Sequence, residues 1–166
     1  MPHDHNQIIP ECYADTLFVK ILGFEVPNHQ FGIESVLKEL RENFKNRVAV
    51  GIIDDDKLKP KDLDDFETVQ ENHGIKRLTK GKHSVLIICP VLEDWVFQNA
   101  VAKNVDPAKY GFQTRKDFQK ACKRINVADN QQVKQFLNTL KQKRTPGFTQ
   151  LKIWICEGAG IDEENL

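Results

Sequence analysis

Carboxylates are the residues of this 166-residue chain whose types and spacing suit chemistry. Glu11 follows the apolar run at residues 7–10, Asp54, Asp55 and Asp56 follow VAVGII at 48–53, and Glu93 and Asp94 come shortly after SVLIIC at 84–89. Each run reads as a β-strand, so three strand ends deliver acids. Ligands of open α/β sheets bind beyond the carboxyl ends of their strands. Alternation along a strand sends Asp54 and Asp56 to one side and Asp55 to the other, which makes Asp54 and Asp56 the useful pair. Gathered carboxylates repel one another unless a hard divalent cation, Mg2+ or Mn2+, lies between them with water completing its shell. Metal binding is the chemistry this pattern predicts.

Elements alternating along the chain must position these acids. Strands are expected at 7–10, 24–27, 48–53, 75–78 and 84–89. Helices are expected at 15–22, at 33–44, from Val91 onward with Leu92, Trp95, Val96 and Ala100 inward, at 114–125, at 130–142, and at 148–157 with Gly158 as the cap. Uninterrupted apolar runs such as VAVGII and SVLIIC belong to strands buried on both faces of a parallel sheet. The expected fold is therefore α/β, with a central, mainly parallel sheet of about four strands flanked by helices and a helical C-terminal third. No linker interrupts it. The whole of 1–166 reads as one domain, with a core over about 6–103 and a helical extension over about 104–158.

With 40% hydrophobic and 29% charged residues the chain is a folding one, and its 24 basic and 24 acidic residues cancel. Zero net charge argues against coating nucleic acid or an anionic membrane by bulk charge. No apolar run of about 18 residues is present to span a bilayer, and the N-terminus lacks the features of a signal peptide. Cys12, Cys89, Cys122 and Cys156 form no C-x-x-C pair, so free thiols and a cytoplasmic setting are expected. His3 and His5 read as a frayed terminus, and Trp95 and Trp154 as core. The neutral total hides a division. Residues 54–71 carry eight acids against three lysines, a net −5, whereas 103–152 carry twelve Lys and Arg against three acids, a net +9. On the helix at 114–125, Lys116, Lys120 and Lys123 fall within about 60° of one another, opposite Phe118, Ala121, Cys122 and Ile125. That stripe, extended by Lys141, Lys143 and Arg144, is either a phosphate grip or an ordinary solvated face.

Glu11-Cys12-Tyr13-Ala14-Asp15 resembles the E-G-x-x-D signature of the TOPRIM domain of topoisomerases, primases and several nucleases, and Asp54-Asp55-Asp56 resembles its D-x-D signature. The similarity covers about residues 8–95. In detail it is to small prokaryotic TOPRIM-like proteins related to overcoming-lysogenization-defect nucleases, where an acid near a tryptophan follows the last core strand, as Glu93-Asp94-Trp95 does here. Cys12 departs from the family's glycine, where a side chain would crowd a phosphate approaching the backbone. The resemblance implies Mg2+- or Mn2+-dependent phosphoryl transfer on DNA or RNA, a metal-dependent nuclease above all. Asp54 and Asp56 would hold the cation, Glu11 would be a further ligand or the general acid/base, Asp15 would cap the following helix or support the site, and Glu93 or Asp94 would line the same cleft. The alternative it implies is a TOPRIM-like binding or regulatory module without turnover, with a partner protein or a second copy, in a prokaryotic defence or toxin system.

Overall fold

The computed structural model describes residues 4–55 and 59–166. Its sheet has five strands in the order β1-β2-β5-β4-β3. β1 (Ile8–Pro10), β2 (Ala49–Asp54) and β5 (His83–Ile88) run parallel, and β4 (Ile75–Lys80) and β3 (Glu67–Asn72) continue the sheet as an antiparallel hairpin. The α/β class agrees with the sequence, but the mainly parallel sheet is corrected to one with two parallel and two antiparallel pairings. Turn length decides this. His73 and Gly74, with φ of 49° and 77°, close the β3–β4 hairpin, and Gly81 with φ 59° turns β4 into β5. Such short connections join only antiparallel neighbours, since a parallel pair needs a crossover of a dozen residues or more. Residues 24–27 form no strand. The chain instead runs on along β1, where the Asn28 and Gln30 amides donate to the Ile8 and Pro10 carbonyls.

Strand alternation divides the core. Ile8, Val50, Ile52, Leu86 and Ile88 pack towards α1 (Tyr13–Ile21), α3 (Leu92–Ala102), α5 (Gln131–Gln142) and α6 (Pro146–Ala159). Ile9, Ala49, Ile53, Val85 and Ile87 pack towards α2 (Ile33–Asn43) on the other side. Trp95 stacks on Phe148 at 5.3 Å and Phe18 meets Phe148 edge-on at 4.7 Å, so the C-terminal helices share a core with the sheet. Both tryptophans are buried, as expected.

Three local expectations are corrected. Gly158 does not cap the last helix: a Cβ there would come within 3.2 Å of Val50, so this glycine lets α6 lie close on β2, and Gly160 with φ 67° ends the helix instead. The helix α4 (Arg115–Cys122) stops before Ile125, which stands 76% exposed and not on a buried face. His5 is not frayed: it is buried edge-on against Phe24, its amide bonded to the Glu25 carbonyl, while His3 lies outside the described residues. Among the described residues no helix is long and apolar enough to cross a membrane.

Candidate metal centre

Asp54 ends β2, and the alternation that points Val50 and Ile52 towards α1 and α3 sends its side chain the same way. Its Oδ1 accepts from the Leu92 amide at 3.1 Å, at the start of α3, where the N-cap residue Val91 offers no side-chain acceptor. Asp54 therefore caps a helix from a neighbouring element and sits at the positive end of its dipole. Glu11 leaves β1, and its Oε1 accepts from the Asp54 amide at 2.9 Å, just beyond the parallel ladder. Backbone hydrogen bonds thus fix one oxygen of each acid.

Asp15 has no such anchor. It lies in the first turn of α1, 0% exposed, and neither carboxyl oxygen has a hydrogen-bond partner among the described residues. The capping expected of Asp15 is done by Cys12, which is extended at φ −151° and accepts the Asp15 amide on Sγ at 3.4 Å. One ligand oxygen each of Glu11, Asp15 and Asp54 lies within 4.8 Å of the other two. Burial first, and then the charges of Asp54 and Glu11, hold the Asp15 carboxyl well above the ordinary carboxylate range; the adjacent Cys12 thiol offsets this in part and Glu93 adds to it. Burial also pushes the Cys12 thiol up, so it stays protonated and is a poor nucleophile. Three hard oxygen donors from the end of β1, from α1 and from the end of β2, one of them buried without a partner among the described residues, fit a Mg2+- or Mn2+-sized cation.

The other residues singled out from the sequence do not all join this group. Asp56 lies outside the described residues. Asp55 points away, as alternation requires, and pairs with Lys59. Glu93, in the first turn of α3, is close enough to influence Asp15 but is not one of the three converging acids, and Asp94 turns to Arg115 at 2.8 Å. Lys116, Lys120 and Lys123 are exposed while Phe118 and Cys122 are buried, so α4 presents the predicted basic stripe. Burial, and after it the charges of Glu93, Asp15 and Asp54, push the Cys122 thiol up, so the buried face of α4, opposite the lysines, is the one nearer the acids. A cavity of about 500 Å³ opens at the other end of the sheet between α2 and the β4–β5 turn, but Arg41–Asp62 and Lys80–Asp65 pairs already neutralise much of its rim. The four cysteines are free thiols. No protein-family model, curated protein or solved structure matches the chain.

Proposed function

We propose that this chain is a Mg2+- or Mn2+-dependent phosphoryl-transfer protein of TOPRIM type, acting on nucleic acid as a nuclease, with Glu11, Asp15 and Asp54 as its cation-binding set and Asp56 as a further ligand. Asp15 carries the reading: a fully buried carboxyl whose oxygens have no hydrogen-bond partner among the described residues, next to two more acids, is costly unless a cation joins them. Further support comes from the order of the parts, with Glu11 after the first strand, a helix behind it, and Asp54 at the end of the adjacent parallel strand. A bound Mg2+ supplies charge neutralisation for phosphate oxygens and lowers the pKa of water. Glu11, which accepts from the Asp54 amide and lines an open cavity with Lys59, would hold or pass a proton in this reading. The stripe on α4 supplies phosphate contacts from the side.

The direct test incubates the protein with labelled single-stranded and duplex DNA and RNA, with Mg2+, Mn2+ or EDTA. Cation-dependent cleavage is expected, and its absence on every substrate together with no Mn2+ binding would sink the proposal. The double variant Lys116→Glu/Lys120→Glu should weaken strand binding and flatten the dependence of log affinity on log salt by a slope of about 1 to 2, because each phosphate contact contributes about 0.7 to 0.9. Mn2+ affinity should stay as in the wild type. A second reading, a binding module without turnover, draws on Cys12, whose Sγ occupies the Asp15 amide that a glycine would leave open to phosphate. It expects Mn2+ and strand binding with no cleaved product.

A further inference from the structure

Of the Phe, Tyr and Trp side chains among the described residues, Tyr13 and Phe31 alone stand exposed, at 36% and 67%, and they touch each other. Exposed aromatic rings in contact form a contiguous apolar surface, of the kind that marks ligand-binding sites when it lies beside polar groups. Tyr13 is the first residue of α1, between Glu11 and Asp15, and it stacks on His29 with centroids 4.6 Å apart. Phe31 meets both rings edge-on, at 5.6 Å from Tyr13 and 4.6 Å from His29. The segment carrying His29 and Phe31 is pinned beside the acids by the Gln30 amide on the Pro10 carbonyl and the Gly32 amide on the Glu11 carbonyl.

His29 keeps this cluster uncharged. The single hydroxyl proton of Thr16 goes to the Cys12 carbonyl at 2.7 Å, so His29 Nδ1, 2.6 Å from the same hydroxyl oxygen, must be the donor there. The Nε2 lone pair is then left buried without a partner among the described residues, and a second ring proton would find no acceptor among them. A neutral aromatic surface suits the face of a planar base and gives a phosphate nothing to hold. Phe31 and Glu11 line one cavity of about 440 Å³, with Lys59 and the first turn of α2. Glu34, also on its wall, is an acceptor suited to the exocyclic amino group of a base.

We propose that Tyr13, His29 and Phe31 form a stacking platform for an unpaired nucleobase, so that single-stranded nucleic acid is held with its backbone at Glu11, Asp15 and Asp54. This deepens the reading above and rests on it for the role of the acids. Bases stacked on aromatic side chains bind without regard to sequence, and the unstacked bases of a single strand are the ones available to do so.

The test compares a labelled single strand with an abasic strand of the same length, both with Ca2+ in place of Mg2+ to prevent cleavage. The wild type should bind the intact strand about tenfold or more tightly than the abasic one. Phe31→Ala and Tyr13→Ala should remove that difference, Phe31→Leu should retain little of it, and abasic-strand affinity, Mn2+ affinity and melting temperature should stay near wild-type values. Equal wild-type affinity for the two strands, or variants that keep the preference, would overturn the platform. So would unchanged strand affinity in Phe31→Ala with a shift from dimer to monomer in sedimentation, which would make the face a contact between two copies of this chain. Failure of the acids as a cation site would appear separately, as no Mn2+ bound by the wild type.

Discussion

Replacing Asp15 by asparagine should make the metal-free protein more stable than the wild type by a margin that grows as the pH rises, and should remove its response to Mg2+. In the unfolded chain Asp15 loses its proton near pH 4. In the folded chain burial and the charges of Asp54 and Glu11 raise its pKa, so the folded state keeps a proton that the unfolded state has already lost. Where the folded state binds the extra proton, stability falls as the pH rises, from near pH 4 up through the raised folded value. An asparagine side chain does not titrate, so the variant escapes that fall. Melting curves in EDTA should therefore coincide for the two proteins near pH 4 and separate above it. Magnesium should act in the opposite sense: at about 100 times its dissociation constant it stabilises the wild type by about 2.7 kcal/mol. For a chain of this size that is a rise of about 5–10 °C, and the variant should show almost none of it. Parallel curves at every pH, or equal Mg2+ shifts in both proteins, would remove Asp15 from the site.

How far the sequence discloses this arrangement can be judged from the same residues. Continuous apolar runs disclose β2 and β5, and the acids that follow them are placed by strand alternation, so Asp54 and the outward turn of Asp55 are legible. β3 is not, because all six of its residues are exposed and no periodic apolar signal marks it. The antiparallel edge is foreshadowed by the short turns at His73-Gly74 and Gly81, which override the α/β expectation of parallel neighbours. Asp15 is open to a better reading than capping. Three, four and seven residues on stand Phe18, Val19 and Leu22, all buried, so an aspartate occupies the apolar stripe of α1 where a capping residue has no business. Tyr13, His29 and Phe31 come together through β1-edge hydrogen bonds made by a segment without regular structure, and no spacing rule in one sequence encodes those.

Asp54→Asn and Asp54→Ala should both lose cleavage, and only the alanine variant should lose stability. Asp54 does two jobs with different chemical needs. Capping α3 needs an acceptor for the Leu92 amide at 3.1 Å, which the carbonyl oxygen of asparagine also supplies. Holding a cation next to a polyanion needs the negative charge, which asparagine lacks. Charge stabilisation by a metal is worth several kcal/mol in such sites, and each 1.36 kcal/mol is tenfold in rate, so a loss of about 100-fold or more is expected in both variants. Loss of the cap in Asp54→Ala should cost about 1 kcal/mol and lower the melting temperature in EDTA by about 2–4 °C, while Asp54→Asn stays at or above the wild type because like charge beside Glu11 and Asp15 is relieved. Glu11→Gln provides the matching control, since its amide oxygen can still accept from the Asp54 amide. Activity retained by Asp54→Asn would show that the carboxylate serves the helix alone, and the metal-dependent mechanism would fall with it.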